Sequence, residues 1–197
     1  MTGRGFTLLE VLITLIILAV GMLGLANLQS KIHVTEVESY QRAHAVLLLQ
    51  DMADRINSNR AAAASYVSAA VVGAGTADAD CTALATNTPA LRAARDRCEW
   101  GETLKGASEQ RGGANVGGMI GARGCIALVQ AANTAAGVCT PGTYRVSVAW
   151  QGLHKTVEPS LPCGANLYGD AADADRDKLR RIISTEVTIG LPRCSSP

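Results

Sequence analysis

Gly5-Phe6-Thr7-Leu8-Leu9-Glu10-Val11-Leu12 opens an apolar run that continues to Ala26 with Glu10 as its one charge. At about 1.5 Å per residue, Phe6 to Ala26 forms a helix about 30 Å long, which matches the hydrocarbon core of a bilayer. One membrane span is therefore predicted. Ahead of it, Arg4 and the amino terminus carry the positive charge, so the short leader stays cytoplasmic and the long C-terminal part is exported. In a diderm bacterium the exported body lies in the periplasm. A secretory signal peptide shares the short basic start. This run is too long for one, and Leu25-Ala26-Asn27-Leu28-Gln29-Ser30 offers no clean small-x-small cleavage site.

Glu10 is the unusual residue. An unpaired carboxylate within the first turns of an apolar helix is costly in lipid and marks function. It needs a cationic partner.

Beyond Ala26 the helix has no reason to stop, since no proline occurs before Pro89 and Leu25 to Asn59 is built mostly of good or neutral helix formers. One helix is predicted from Phe6 to about Arg60. In its second half Ala45, Leu48, Leu49, Met52, Ala53 and Ile56 recur at helical spacing, with Asp51, Asp54 and Arg55 opposite. That apolar stripe docks on a folded body. Val46 and Leu47 widen it, serving either the same core or a neighbouring chain.

Residues 61–80, rich in Ala, Ser, Gly and Asp, read as the helix end and a loop. A short helix is predicted around Leu91 to Cys98, ahead of Trp100, and the glycines between Gly112 and Gly124 break regular structure. Three stretches read as strands: Cys125 to Gln130, Tyr144 to Gln151 and Arg181 to Ile189. Tyr144, Val146, Val148 and Trp150 share one face by period two, as do Ile183, Thr185, Val187 and Ile189. Residues 152–180, with Pro159, Pro162 and Gly164, read as a long surface loop. The predicted fold is α+β: a long N-terminal helix packed on a small antiparallel sheet.

The chain has 197 residues and a formal net charge of +1, room for one modest domain and no long-range pull on polyanions. All six cysteines (Cys81, Cys98, Cys125, Cys139, Cys163, Cys194) lie beyond residue 80, on the exported side, which points to an oxidising compartment and disulfides.

Gly5 to Leu12 resembles the class III signal of the type IV pilin family and of the related pseudopilins, and the fold this implies is the pilin fold with disulfide-stapled loops. The resemblance implies that a prepilin peptidase cuts between Gly5 and Phe6 and methylates the new amino terminus at Phe6. It implies that Glu10 of one subunit neutralises that amine on its neighbour during assembly. Two buried ions relieve one another, whereas either alone carries a desolvation penalty of several kcal/mol. Val20 to Gln29, Gln50 to Arg60, Asp96 with Trp100, Arg123 to Ile126 and Tyr144 to Trp150 are similar to the minor pilins called type IV pilus modification proteins, the PilV family. Major pilins commonly carry a proline near the end of the apolar stretch. Here Asn27 stands in that neighbourhood, and Gly21 and Gly24 are the weak points of the helix.

On that resemblance the chain divides into a leader (1–5), a transmembrane and assembly half-helix (6–28), an amphipathic half-helix (29–60) and an exported pilin domain (61–197). The expected partners are prepilin peptidase, other minor pilins and the major pilin, a tip adhesin, and the inner membrane before assembly. The expected function is priming of pilus assembly, with twitching and surface attachment downstream. The rivals are a minor pseudopilin of type II secretion and a DNA-binding competence pilin. The six cysteines leave their connectivity open. The pairing expected is Cys125–Cys139, Cys163–Cys194 and Cys81–Cys98, the second after the C-terminal disulfide loop of many pilins.

Catalytic signatures are absent: the sequence has no Gly-x-Ser-x-Gly elbow and no Walker loop, and no cofactor or metal is expected. His33 and His44 lie about 16 Å apart along a helix, too far to share an ion. Asp173, Asp175 and Asp177 lack the glycine and distal acid of a calcium loop, and read as a solvated turn. Arg92, Arg95 and Arg97 form a small basic patch that reads as a helix face paired with Asp96 and Glu99, so nucleic acid is not an expected partner.

Overall fold

Thr7 starts the first helix. Its carbonyl accepts the Glu10 and Val11 N–H groups at 3.1 and 3.3 Å, and its hydroxyl oxygen accepts the Glu10 N–H at 3.3 Å. From there α1 runs without interruption over Leu8–Ser58, 51 residues. The computed structural model describes residues 5, 7–107, 109–112, 114–115, 117–135, 137–191 and 194. Phe6, the expected cleavage and methylation position, lies outside them. The chain forms two compact units, Met1–Tyr40 and Gln41–Pro197.

In the first unit α1 buries almost nothing: Leu9 and Leu25 are each 67% exposed and Ile17 is 65% exposed. In the second unit Gln41, Ala45, Leu48, Leu49, Met52 and Ile56 are buried, the spacing of one helical face. Ala53 packs against the same core, while Val46 and Leu47 stay exposed. The helix ends at Ser58 because Asn59 leaves helical geometry (φ −112°, ψ 40°).

A 3-10 turn over Arg60–Tyr66 leads into β1 (Ser68–Gly73), followed by α2 (Pro89–Leu104). Thr88 caps α2 by accepting the Leu91 N–H at 3.2 Å, and Pro89 occupies its first turn. A two-rung ribbon of β2 (Gln110–Arg111) and β3 (Ala114–Asn115) precedes β4 (Arg123–Gln130), β5 (Gly142–Gln151) and β6 (Arg180–Ile189). The main sheet has the order β1-β4-β5-β6, antiparallel throughout. Its three later strands begin within about two residues of their predicted starts.

The segment 61–80 is not all loop, because β1 pairs with β4 from Ser68↔Ile126 to Gly73↔Arg123. Its residues are small, and the pairing with β4 together with the cover of α2 makes the strand where side-chain periodicity does not. Near Leu91 to Cys98 the helix is longer than predicted, reaching Leu104 so that Trp100 and Leu104 enter the core.

The main core joins the α1 stripe to Ile126, Tyr144, Val146, Val148, Trp150 and Val187, with Trp100 fully buried among them. Gly124 makes room for that indole, since a Cβ there would fall inside Trp100 Cζ3 and Cη2 and 2.8 Å from Leu104 Cδ1. A second, smaller core gathers Ala149, Cys163 and Tyr168 with Cys125 and Ile182. These strand residues alternate with those of the main core, so they lie on the other face of the sheet.

Segment 152–180 is therefore not wholly a surface loop. Arg180 is 2% exposed and draws the chain inward, donating to the Cys163 and Pro159 carbonyls at 3.0 Å each and to Asp177 Oδ2 at 2.8 Å. Asp177 Oδ1 in turn accepts the Asn166 N–H at 2.7 Å. A buried guanidinium needs this many acceptors, and each one fixes a piece of backbone.

The disulfides are Cys81–Cys98, Cys125–Cys163 and Cys139–Cys194. Two of the expected pairs, Cys125–Cys139 and Cys163–Cys194, are thus corrected. Cys125 lies opposite Ser147 in mid-sheet. The end of β4 at Gln130 is about 17 Å further along the strand, so the hairpin end that holds Cys139 is beyond bonding reach. Cys163 lies over that same mid-sheet position, its Sγ 3.9 Å from the Ser147 carbonyl. Cys139 precedes the start of β5 and Cys194 follows the end of β6, and those ends meet at Gly142↔Ile189.

Candidate assembly site

At the expected junction Gly5 is exposed, and no described atom lies within 4 Å of the position its Cβ would take. Gly5 thus stands ahead of the first helical residue, clear of packed structure. Glu10 sits in the first turn of α1. Thr7 and Glu10 form the Thr-x-x-Glu pattern of an N-terminal capping box, a signal present in the sequence that the reading above did not use. Four N–H groups at a helix start carry about half a positive charge, so the Glu10 carboxylate is favoured by the helix it belongs to. Thr14 donates to the Val11 carbonyl at 2.8 Å and so asks nothing of its surroundings. By length and composition α1 includes a segment able to cross a membrane, and none of that apolar window is buried.

In the second unit a cluster of charged and aromatic groups locks α2 to the lower part of α1. Arg55, expected on the solvent side, is instead 27% exposed and reaches Asp51 Oδ2 at 3.1 Å, Asp96 Oδ1 at 3.3 Å and Glu99 Oε2 at 2.8 Å. Burial works against its charge, but the Glu99 and Asp51 carboxylates outweigh that and hold the guanidinium above its ordinary pKa. The Arg55 hydrogen bond, opposed by partial burial, holds the Glu99 carboxyl below its usual range. The Tyr66 hydroxyl donates to Asp96, and burial followed by that bond pushes its pKa up to about 12. Asn59 Nδ2 donates to the Pro89 carbonyl at 2.8 Å and to the Tyr66 oxygen at 3.2 Å. Trp100 Nε1 donates to the Leu48 carbonyl at 2.9 Å. Asp96 and Trp100, two of the landmarks behind the family likeness, thus help to hold the two helices together.

The remaining candidates are accounted for by their neighbours. Arg95 pairs with Glu99 at 2.9 Å, Arg97 donates to the Val67 carbonyl at 3.5 Å, and Arg92 is exposed. Asp173 takes Lys155 at 2.6 Å, Asp175 takes Lys178 at 2.8 Å and Asp177 takes Arg180 at 2.8 Å. Among the described residues no group of three or more His, Cys, Asp or Glu side chains is arranged to hold a metal.

Residues 2–26 match the prokaryotic N-terminal methylation motif, and residues 27–98 match the Tt1218-like family, type IV pilin Tt1218. The second match includes Arg55, Tyr66 and Asp96 of the helix clamp and ends at Cys98, before Glu99 and Trp100. No curated protein and no solved structure matches the chain.

Proposed function

We propose that this chain, type IV pilin-like from residue 2 to residue 98, is a minor pilin that joins other minor pilins to prime pilus assembly and present a tip adhesin. Prepilin peptidase removes residues 1–5, Phe6 becomes the N-methylated terminus, and the 6–28 half-helix holds the subunit in the inner membrane with residues 61–197 in the periplasm. The one observation that carries this reading is the exposed apolar start of α1, whose one acid, Glu10, follows an accessible Gly5 within the methylation motif.

Transfer from membrane to filament then turns on charge. A cationic nitrogen on Phe6 and the Glu10 carboxylate of an adjacent subunit compensate each other where water is scarce, and a carboxylate without a cation is excluded. The landmarks shared with the PilV family, and Asn27 in place of a proline, favour a minor over a major subunit. The chain acts by binding, not by catalysis.

Mass spectrometry of the assembled protein is expected to find Phe6 as a methylated first residue, and an intact 1–5 extension in assembled material overturns the proposal. Glu10→Ala is expected to leave the subunit in the membrane and out of the filament. Deleting the gene should remove surface pili and twitching, whereas lost protein secretion with intact pili assigns the chain to a secretion system instead.

A further inference from the structure

β6 is an edge strand: β5 pairs with one side of it, and no described strand pairs with the other. Among the described residues the backbone of 182–189 makes no hydrogen bond outside the β5 ladder. An edge strand turns alternate N–H and C=O groups outward, a template for another strand. The start of this edge is guarded. Thr156 N–H bonds the Lys178 carbonyl at 2.8 Å, and Arg181 spans to the His154 carbonyl at 2.7 Å. From Ile182 onward the guard ends.

Beside the unguarded stretch lies a groove of about 560 Å³. Its floor and walls come from Val46, Leu49 and Ala53 of α1 and from Ile183 and Thr185 of β6. Val46 is 39% exposed there. The groove therefore has one apolar wall of helix and one wall from an edge strand whose backbone lacks a strand partner on its outer side, which suits an extended peptide and not a helix, since a helix has no free backbone groups to offer along its length.

The groove is also polarised. Arg42 lies toward one end and Asp54 toward the other, both exposed, and neither makes an ion pair among the described residues. Twelve residues of helix separate them, about 18 Å. An extended chain covers that distance in about five or six residues. Opposite charges at the two ends, an apolar floor and a hydrogen-bonding edge between them define the occupant's chemistry.

We propose that the groove between α1 and β6 binds an extended segment of a partner protein, which adds to β6 as a fifth strand of the sheet. The segment carries apolar side chains at alternate positions facing Val46 and Ala53, an acid near Arg42 and a base near Asp54. The inference rests on the second unit alone and stands whether or not the pilus reading does.

The test uses the full chain in detergent micelles and fluorescent heptapeptides of alternating Val and Thr, with Glu at one end and Lys at the other, in both orders. Anisotropy should show saturable binding of one order. Methylating the alternate backbone nitrogens of that peptide should weaken binding at least tenfold, because backbone pairing is lost while side chains are kept. Gln50→Trp, at an exposed position lining the groove, should do the same with the melting temperature unchanged, and Val46→Trp is the second variant should the first perturb folding. Exchanging the end charges by Arg42→Glu with Asp54→Lys should transfer the preference to the other peptide order. No saturable binding at millimolar peptide, binding indifferent to backbone methylation, or a dimer of the chain that the peptide fails to dissociate each overturns the proposal.

Discussion

Replacing Gly124 by alanine is expected to cost about 3 kcal/mol of stability in the Gln41–Pro197 unit. The new methyl falls where Trp100 Cζ3 and Cη2 already stand, and 2.8 Å from Leu104 Cδ1. Trp100 and Leu104 are fully buried, so neither has solvent to move into. Forcing an extra carbon into such a core costs about 1–3 kcal/mol. If the indole tilts to escape, Trp100 Nε1 leaves the Leu48 carbonyl it meets at 2.9 Å, a further loss of about 1 kcal/mol. For a unit of this size each kcal/mol lowers the melting temperature by roughly 2–4 °C, giving a drop of about 6–12 °C. Thermal unfolding followed by circular dichroism on the full chain in detergent measures it. Trp100→Phe in the Gly124→Ala background should restore part of the loss, because the smaller ring leaves room for the methyl. A melting temperature within about 1 °C of wild type, or strict additivity in the double variant, refutes the claim that the glycine is there for the indole.

The other predictions follow from the same cluster and from the disulfides. Tyr66 holds its proton more tightly when folded, its pKa rising from 10.0 to about 12, so this stability is fully present below pH 10 and lost as pH rises toward 12. Urea titrations of wild type and Tyr66→Phe should converge across that window, and parallel curves contradict it. Arg55→Leu should cost about 1–3 kcal/mol by leaving Asp96 and Glu99 without their shared cation, read from the same titrations at neutral pH. Glu99 has its carboxyl held below its usual range, so its contribution is present above the unfolded pKa and fades as acid protonates it; wild type should lose more stability than Glu99→Gln as pH falls through that range. Under mild reductant Cys139 and Cys194, both partly exposed, should be alkylated before the bridges anchored by buried Cys163 and Cys81, as peptide mapping by mass spectrometry will show.

Where a residue's side chain alone decides its place, the sequence could be read directly. Leu48, Leu49, Met52 and Ile56 are buried because helical spacing puts them on one face, and Tyr144, Val146, Val148 and Trp150 because strand alternation does the same. β1 was not legible: Ser68-Ala69-Ala70-Val71-Val72-Gly73 has little apolar contrast, and it becomes a strand through its partners in β4. Arg55 looked like a solvated residue because helical spacing sets direction and says nothing of a second helix arriving from 41 residues further on. Cys81–Cys98 forms as expected, and the other two cysteine pairs were missed for a related reason. Strand register, which the spacing of cysteines does not give, places Cys125 at Ser147 and the two chain ends around Gly142 and Ile189. Of the assembly site, the acid and the junction were visible in sequence, while the cap that Thr7 supplies to Glu10 needed the helix start to be seen.

If the chain is the pilus subunit proposed above, its exposed first unit bears on how it moves from membrane to filament. Leu9, Ile17 and Leu25 are all more than half exposed, so this stretch of α1 has to be covered by something apolar. Lipid and a neighbouring apolar helix cover it equally well, because acyl chains are as apolar as leucine and the hydrophobic effect does not choose between them. A free-energy difference that favours the filament must come from groups the two surroundings treat differently. Within the run Thr14 is satisfied by the Val11 carbonyl, which leaves Glu10 as the group whose energy changes. In lipid its carboxylate is paired at best with its own helix start, a contribution of about 0.3–1 kcal/mol. Beside a cationic terminus it gains a full charge partner, and the several-kcal/mol desolvation penalty of two buried ions is offset by their attraction. In the proposed assembly, then, the apolar helix supplies a surface that slides from one apolar medium to another, and Glu10 supplies the direction.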